Sequence, residues 1–293
     1  MRNGFITLKV MIWLTKKATE LDKKVIIIGK RSNLSNSIKK YLNDSIVLST
    51  NQIKNLEEIL IKNEISTVIY NTACKSTLIN QKTDPTLFSY YSFGNLSEFI
   101  KICLKHETKV EKIIYTSTSA IYGNNNFSNE DSPCKINNLY ASLKFSSELL
   151  LKRYISPSKI KLTITRIFNM YGGDDQFSII SKIGNAIKKN QSLQINNYGK
   201  SIRDFISINN VTEIYKLLIL KDFDGIINVS SGRGYSIASV VKIAEEIFQK
   251  KLDIEHRKFD EIKVSIGSNE KLKKILNYAE FENISEYFRN FQS

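Results

Sequence analysis

The chain has 293 residues, a length that suits one large α/β domain or two smaller units and is ample for a sizeable core. Hydrophobic residues make up 42% of the sequence and charged residues 25%, as in ordinary soluble globular proteins. The formal net charge of +14 comes from scattered lysines, without a basic block or a basic stripe interleaved with aromatic residues. The charge pattern therefore disfavours a nucleic-acid partner and favours a phosphorylated small molecule.

The first 23 residues are predicted to be an extension that lies outside the folded core. Residues 5–14 are apolar, but they are fewer than the ~20 residues that a membrane span needs. They also lack the small-residue cleavage site of a secretory signal. An interfacial anchor is the alternative for this segment, and no other segment is predicted to span a membrane.

From residue 24 onward, short β-branched runs alternate with helical patterns. The predicted strands are residues 24–29, 46–48, 67–70, 112–117 and 162–166. The predicted helices are residues 32–41, 53–63, 87–106 and 139–154. This alternation predicts an α/β fold with a doubly wound parallel sheet, in which ligands bind beyond the carboxyl ends of the strands. Gly29, Asn71 and Thr118 each follow or end a strand, so we expect them at one edge of the sheet.

After about Tyr171 the alternation breaks up, which predicts a smaller lobe that closes over the first region. Its predicted helices are residues 177–189, 211–220, 236–250 and most of 269–291. Its predicted strands are residues 201–208, read as a strand or an extended loop, and 226–229. We assign residues 24–170 to a Rossmann-like dinucleotide-binding domain, to which some later segments return, and residues 171–293 mostly to a substrate-binding lobe.

The cysteines and histidines form no metal or redox motif. Cys74, Cys103 and Cys134 are far apart in the sequence, and reduced thiols in a cytosolic protein are expected. His106 and His256 are isolated in charged segments, so neither a zinc site nor a histidine-based triad is predicted. We therefore predict a cytoplasmic protein without a metal site.

Tyr140 and Lys144 are four residues apart on a predicted helix, so their side chains share one face. A free phenol has a pKa near ~10, but a neighbouring ammonium favours the phenolate and lowers that pKa. Thr118, at the end of a strand, can hold a substrate oxygen. These three residues predict a proton-transfer site for an alcohol–ketone pair, although the Tyr-x-x-x-Lys spacing alone is common by chance.

The first predicted strand leads into a loop in which a dinucleotide-binding fold usually has three glycines. Those positions are Gly29, Ser32 and Ser35 in this chain. Small residues let the backbone approach a pyrophosphate at a helix N-terminus, and a serine can also cap that helix. The place of this loop, as the first turn of a βαβ pattern, favours dinucleotide binding.

Together these segments resemble the extended short-chain dehydrogenase/reductase superfamily, in its branch of NAD(P)-dependent nucleotide-sugar epimerases and dehydratases. The resemblance covers nearly all of residues 24–290. It depends on the order and spacing of the Gly29 loop, Asn71-Thr72-Ala73, residues 115–123, residues 140–144, residues 165–172, Arg203-Asp204-Phe205-Ile206 and residues 228–232.

The resemblance implies a role for each matching residue. Tyr140 would be the general acid/base, Lys144 would lower its pKa and bind the nicotinamide ribose, and Thr118 would hydrogen-bond the reacting oxygen. The implied cofactor-binding residues are Gly29, Arg31, Ser32, Asn33, Leu34, Ser35, Asn71, Thr72, Ala73 and Lys144. The implied substrate-binding residues are Thr118, Ser119, Asn169 and Arg203.

Arg203, Arg166 and Tyr171 lie in the later motifs and have different expected roles. A guanidinium matches phosphate oxygens bidentately, which suits Arg203 to the nucleoside diphosphate, and a structural pair with Asp204 is the alternative. Arg166 and Tyr171 are expected to have structural roles.

The residues that follow Thr118 bear on the reaction. Sugar dehydratases of this family have an Asp-Glu pair there, whereas this chain has Ser119 and Ala120, so dehydration is disfavoured. The bifunctional epimerase-reductases have a cysteine in place of Ala120. What the resemblance leaves is oxidation or reduction at a sugar carbon, expected to be C4, by a 4-epimerase or a 4-keto reductase.

The expected cofactor is NAD or NADP, with NADP slightly favoured. No acidic residue follows the second strand to bind a ribose 2′-hydroxyl. Lys30 and Arg31 can meet a 2′-phosphate, unless both are solvated charges at the start of the helix. The short distance between the second strand and Thr67 suggests a missing strand or helix, as in the reductase members.

The alternative function is that of a degenerate family member that binds a dinucleotide or a partner without catalysis. The loss of two loop glycines favours this alternative, and the retention of Tyr140, Lys144 and Thr118 disfavours it. The resemblance implies a nucleotide-sugar substrate, a role in polysaccharide biosynthesis, and a homodimer formed through the Tyr140 helix and its neighbour.

Overall fold

The computed structural model describes residues 24–29, 32–42, 44–71, 86 and 90–292. The predicted extension 1–23 lies outside the described residues. So do four residues with predicted roles at the cofactor, which are Lys30, Arg31, Thr72 and Ala73.

The first half of the chain alternates strands and helices. Its strands are β1 (Lys24–Ile28), β2 (Ile46–Leu48), β3 (Ile65–Tyr70), β4 (Lys112–Thr118), β5 (Asn125–Ser128) and β6 (Lys161–Ile167). Its α-helices are α1 (Asn33–Tyr41), α2 (Leu56–Lys62), α3 (Asn95–Lys105) and α4 (Leu139–Ile155). Shorter helical turns are the 3₁₀ segments Thr50–Asn55 and Ser119–Tyr122 and the π-helical segment Tyr90–Gly94.

The second half has shorter strands. They are β7 (Asn169–Tyr171), β8 (Leu193–Asn196), β9 (Ile202–Ser207), β10 (Gly225–Val229), β11 (Gly234–Ser236), β12 (Ile254–Arg257) and β13 (Val264–Gly267). Its α-helices are α5 (Ile179–Lys189), α6 (Ile208–Leu220), α7 (Ile237–Phe248), α8 (Glu270–Leu276) and α9 (Ile284–Gln292). The predicted helical tail is therefore two separate helices.

The large sheet has six strands in the order β10-β6-β4-β3-β1-β2, and all neighbours are parallel. This confirms the predicted Rossmann-like parallel sheet. Residues 49–64, which are all described, connect β2 to β3 through helical segments without a strand. Strand β10 comes from the second half of the chain and pairs with β6.

Helices cover both faces of this sheet because its β-branched strands are apolar on both sides. Alternate residues of β1 belong to different cores. Ile26 and Ile28 pack with α2 and α3, whereas Val25 and Ile27 pack with α1, α6 and α8. A separate apolar core joins α5, α7 and α9 in the second half.

A mixed sheet adjoins the large one at the carboxyl end of β6. Its strands are β11, β9, β13 and β5 in that order, and β7 pairs with β9. Strand β7 begins two residues after β6 ends, so the chain passes directly from one sheet to the other. Strands β12 and β8 form a further pair. Within the described part of the chain, no helix is both long and apolar enough to cross a membrane.

Candidate active site

The carboxyl ends of β1, β3 and β4 lie side by side. Ile28 is in register with Tyr70, and Tyr70 with Tyr115. Gly29 and Asn71 directly follow the first two strands, and Thr118 ends the third. The expected common edge of Gly29, Asn71 and Thr118 is therefore present, and the candidate site is built on it.

Gly29 is the position in the loop after β1 where a side chain cannot be accommodated. Its φ of +137° lies in the region that favours glycine. A Cβ on this residue would lie 1.9 Å from the main-chain oxygen of Asn71. The bare backbone at this turn leaves room for the close approach of a pyrophosphate.

The two serines that stand in place of loop glycines are held by one amide. Ser32 caps α1, and its Oγ accepts a hydrogen bond from the Ser35 N–H at 2.9 Å. Asn71 Nδ2 donates to Ser32 Oγ at 2.6 Å and to Ser35 Oγ at 2.8 Å. The first turn of α1 contains no acidic residue, so its N-terminus is suited to an anion. Leu34 is buried in the core beneath this turn.

Asn33 connects the same turn to the second half of the chain. Its Nδ2 donates to the main-chain oxygen of Gly172 at 2.8 Å, and its Oδ1 accepts from the Asp174 N–H at 3.0 Å. Its predicted part in cofactor binding stays a prediction. The structure adds that its side-chain amide joins the first turn of α1 to the segment after β7, a contact across 139 residues of sequence.

Tyr140 and Lys144 occupy the first two turns of α4. Asn138 caps this helix and fixes where it begins, because its Oδ1 accepts from the Ala141 N–H at 2.9 Å. Lys144 is buried, and its Nζ donates to the main-chain oxygen of Thr116 at 2.8 Å. The same Nζ lies 5.0 Å from the centre of the Tyr115 ring. The helix therefore directs Lys144 at the last residues of β4.

Tyr140 lies on the same side of α4 as Lys144. Burial raises the pKa of Tyr115 well above its usual range, and the Tyr140 phenol is one of the nearby groups that raise it further. Tyr140 is partly exposed, whereas Tyr115 is buried. Both Tyr140 and Lys144 thus lie near Tyr115, three residues before Thr118.

Thr118 ends β4 and begins the 3₁₀ segment that follows. Its Oγ1 accepts from the Ala120 N–H at 3.2 Å, and the side chain is partly exposed. Ser119 is buried. Among contacts with the described residues, one hydroxyl lone pair and the hydroxyl hydrogen of Thr118 are left for a substrate oxygen.

The two other predicted substrate residues lie on the mixed sheet. Asn169 begins β7, and its Nδ2 donates to the main-chain oxygen of Asp204 at 2.9 Å. Arg203 lies on β9, and its Nη2 is 3.2 Å from Glu261 Oε2. Burial lowers the pKa of Arg203, and Glu261 opposes that shift.

The alternative that paired Arg203 with Asp204 is wrong. Consecutive strand residues point to opposite faces, so the two side chains diverge. The Asp204 carboxylate instead accepts from the Ser231 N–H and Oγ–H and from the N–H groups of Gly232 and Gly267. Arg203 has Glu261 as its carboxylate partner.

Arg166 and Tyr171, for which structural roles were predicted, are both buried. Arg166 makes a buried ion pair with Glu148 of α4, with Nη2 and Oε2 2.8 Å apart. Tyr171 packs edge-on against Tyr287.

A depression beside β9 was not predicted from the sequence. Its volume is about 500 Å³, and its lining residues are Asn197, Tyr198, Lys200, Lys258, Phe259 and Asp260. The Tyr198 and Phe259 side chains are 63% and 54% exposed. Tyr198 also has a φ of +56°, which is uncommon for a bulky residue. The available signal was two aromatic residues beside lysines in segments without a helical or strand pattern.

A family model matches most of the chain. The model of the NAD dependent epimerase/dehydratase family matches residues 12–230. The chain belongs to this family. The predicted resemblance to this family is thereby confirmed.

Curated relatives within the family carry different activities. The chain is 26% identical over 260 residues to dTDP-D-glucose 4,6-dehydratase of Dictyostelium discoideum, covering 82% of this chain and 59% of the relative. It is 30% identical over 173 residues to GDP-6-deoxy-D-talose 4-dehydrogenase of Aggregatibacter actinomycetemcomitans, covering 56% and 58%. The chain spans about half the length of the curated relatives it matches, from 43% to 59% among the first three.

The fold is also that of solved family members. The UDP-glucose 4-epimerase of Thermus thermophilus, solved as a complex with NAD, superposes with a TM-score of 0.81. The superposition covers 92% of this chain and 99% of the epimerase at 19% identity, so it shows the fold alone.

Proposed function

We propose that this chain catalyses oxidation or reduction at C4 of a nucleotide sugar with a bound nicotinamide dinucleotide, as a 4-epimerase or a 4-keto reductase. The observation that carries the proposal is the anchoring of Lys144 to Thr116 beside Tyr140, next to the strand end at Thr118. A tyrosine–lysine pair in this setting serves proton transfer to or from a sugar oxygen.

The residues around Gly29 fit a dinucleotide. The turn after β1 has a glycine, Gly29, and therefore no side chain at that position. The first turn of α1 contains no acidic residue. Gly29, Ser32, Ser35 and Asn71 would hold the pyrophosphate, and Lys144 the nicotinamide ribose. When bound, the dinucleotide supplies the acceptor or donor of hydride at the sugar carbon.

The proton is the part of the reaction that the chain itself handles. Tyr140 takes the proton from the sugar hydroxyl during oxidation and returns it to the oxygen during reduction. Lys144 favours the phenolate by its positive charge. Thr118 holds the same sugar oxygen by a hydrogen bond, so that the phenol oxygen and the reacting oxygen stay within reach of each other.

Dehydration is disfavoured in this proposal. Removal of water from the sugar needs a further acid and base close to the ring. The two residues after Thr118 are Ser119, which is buried, and Ala120, neither of which carries a carboxylate. We therefore propose an activity other than dehydration for this chain.

Two features favour the reductase over the epimerase, and NADP over NAD. Residues 49–64 form one helical connection without a strand, which is the feature that resembled the reductase members. Residues 49–51, after β2, contain no acid to bind a ribose 2′-hydroxyl. The Aggregatibacter relative, named a 4-dehydrogenase, is in keeping with reduction.

The nucleotide end of the substrate is proposed to lie at the mixed sheet. Asn169 and Arg203 would contact the diphosphate. The depression next to β9 offers exposed rings at Tyr198 and Phe259 and the ammonium group of Lys258. Such groups suit a base and a phosphate.

A cytoplasmic homodimer in polysaccharide biosynthesis is the proposed setting. Helix α4 packs beside α3 and exposes Leu139, Leu149 and Tyr154, whose side chains are about half exposed. Burial of these apolar groups in a second copy would stabilise the pair. Sedimentation analysis tests this, and a monomer at micromolar concentration would contradict it.

The decisive experiment compares the wild type with Tyr140→Phe. Both proteins are assayed with NAD(P) and with NADPH on a panel of UDP- and dTDP-sugars and their 4-keto forms. Tyr140→Phe should lose turnover while calorimetry shows that nucleotide-sugar binding is retained. Tyr41→Phe is the matched control, because Tyr41 is exposed at the C-terminal end of α1, the end away from the loop after β1. Unchanged turnover in Tyr140→Phe would refute the proposal. A wild type that binds cofactor but turns over none of these sugars would favour the non-catalytic alternative.

A further inference from the structure

A buried ion pair joins β6 to α4, the helix that carries Tyr140 and Lys144. Arg166 of β6 donates to Glu148 of α4 through Nη2, at 2.8 Å from Oε2, and through Nε, at 3.2 Å from Oε1. Their side chains are only 3% and 1% exposed. Apolar residues of similar size often stabilise a fold as well as a buried pair does, so a buried pair is by itself weak evidence of a stabilising role.

Glu148 is placed to fix the helix that carries Tyr140 and Lys144. It lies one turn after Lys144 and two turns after Tyr140, on the same face of α4. The Ser117 hydroxyl donates to Glu148 Oε1, and Lys144 Nζ donates to the Thr116 main-chain oxygen. Helix α4 is therefore fastened to two consecutive residues of β4, immediately before Thr118.

Arg166 holds the chain on the other side of Thr118. Its Nη1 donates to the Tyr122 hydroxyl at 2.9 Å and to the Glu130 main-chain oxygen at 3.3 Å. Tyr122 ends the 3₁₀ segment that Thr118 begins, and its hydroxyl donates to Asn228 Oδ1 at 2.8 Å. Contacts of the ion pair thus bracket Thr118 in sequence, at residues 117 and 122.

We propose that Glu148 and Arg166 are positioning residues, which set the distance and angle between the Tyr140 phenol and the Thr118 hydroxyl. The inference rests on the proposed function of that site. Proton transfer needs a hydrogen-bonded geometry, and a displacement of about 1 Å lowers the rate on the order of 10²-fold. The pair connects α4, β4, β6 and the turn after Thr118 through hydrogen bonds whose partners are all buried or partly buried.

Two single variants disturb the pair in different ways. Glu148→Gln keeps an oxygen for Ser117 but presents an NH₂ group to the guanidinium. Arg166→Lys keeps the charge but loses the fork that contacts two carboxylate oxygens and Tyr122. Each should lower kcat about 10- to 100-fold, with the KM for the nucleotide sugar changed less than about 3-fold. Cofactor affinity, measured by calorimetry, should change equally little.

A double variant separates positioning from stability. Glu148→Leu with Arg166→Met replaces the pair by apolar side chains, and it should regain much of the thermal stability that either single variant loses. Its turnover should stay low, because the contacts at Ser117 and Tyr122 are still missing. Recovery of turnover together with the melting temperature would overturn the proposal and leave the pair a purely structural role.

The control lies on the same helix. Leu151→Ala removes a fully buried side chain of α4 that packs in the apolar core and is not a member of the ion pair. It should lower the melting temperature while kcat and its pH profile stay those of the wild type at a temperature where the variant is folded. The pH profile of Glu148→Gln, in contrast, should move.

If Tyr140→Phe retains turnover, the proposed function itself fails. If Tyr140→Phe is inactive but Glu148→Gln has wild-type kcat, only the positioning role fails.

Discussion

The Lys144 ammonium and the Thr116 main-chain oxygen lie 2.8 Å apart, which ties the helix of the proposed base to the strand that ends in Thr118. The contact has two consequences. It satisfies a buried carbonyl, and it holds a positive charge beside the Tyr140 turn of α4. One side chain thereby serves the fold and, in the proposed mechanism, the chemistry of the site as well.

Substitution of Lys144 by methionine should affect both roles. The variant keeps a similar apolar stem but leaves the Thr116 carbonyl without its donor, which costs about 1–3 kcal/mol. Loss of the charge that favours the Tyr140 phenolate should lower kcat about 10²- to 10⁴-fold. Steady-state kinetics and urea unfolding measure the two effects.

The matched control for this substitution is Lys152→Met, two turns later on the same helix. Lys152 is exposed, so its replacement should leave turnover unchanged. The free energy of unfolding should stay within about 0.5 kcal/mol of the wild type. Equal behaviour of the two variants would argue against any special role for Lys144.

The sequence predicted the elements that depend on local patterns. Helices α1 and α4 begin at cap residues, Ser32 and Asn138, and the apolar runs of β1 and β4 form the parallel sheet. Because strand ends of a parallel sheet share one edge, the common location of Gly29, Asn71 and Thr118 also followed.

The partners of several site residues could not be predicted from the sequence. Arg203 pairs with Glu261, 58 residues away, and Asn33 contacts Gly172, 139 residues away. Nothing local in the sequence selects these partners, since each depends on how the mixed sheet packs. The adjacent Asp204 was the nearest candidate for Arg203, but strand geometry turns its side chain to the opposite face.

Replacement of Gly29 by alanine should damage the cofactor loop. The new Cβ would fall 1.9 Å from the Asn71 main-chain oxygen, and the φ of +137° is unfavourable for alanine. The backbone must shift, so cofactor affinity should fall at least about 10-fold and the free energy of unfolding by about 1–3 kcal/mol. Calorimetric titration with NAD and with NADP, followed by thermal unfolding, measures both.

Gly94→Ala provides the comparison for Gly29→Ala. Gly94 has a helical φ of −61°, and the nearest atoms to its added Cβ belong to the Tyr90 side chain. This variant should bind the cofactor like the wild type. A loss of affinity in both variants would show that the effect is not specific to the turn after β1.

Asp204 should make the stability of the fold depend on pH. Burial raises the pKa of Asp204 to about 6, against the opposing effect of hydrogen bonds from Ser231, Gly232 and Gly267. Between pH 4 and 6 the folded state then binds more protons at this carboxyl than the unfolded state does. The stability that Asp204 contributes is fully present below about pH 4 and falls by up to about 3 kcal/mol as the pH rises through 6.

Comparison of the wild type with Asp204→Asn isolates this effect, because all other carboxyl groups are shared. Urea unfolding between pH 4 and 7 should show the wild type losing stability relative to the variant as the pH rises. Asparagine presents an NH₂ group to two of the present donors, so the variant should be less stable than the wild type at pH 4. A difference between the two proteins that is independent of pH would contradict the raised pKa.

Arg203 should contribute to binding of the nucleotide sugar rather than to the chemical step. Its guanidinium is largely buried against Glu261, and the residue lies on β9, next to the depression that Tyr198 lines. A charged hydrogen bond to a phosphate is worth about 1.5–3 kcal/mol. Arg203→Ala should therefore raise the KM for the nucleotide sugar roughly 10- to 100-fold and change kcat only a few-fold. Arg203→Lys should recover part of the loss, because it keeps the charge without the fork.

Glu261→Gln is the companion variant. It keeps a side-chain oxygen for Asn197 and Ser201 and leaves the Arg203 charge to the ligand, so its KM should stay within about 3-fold of the wild type. If Arg203→Ala instead lowers kcat with an unchanged KM, the assignment of this residue to the diphosphate is wrong.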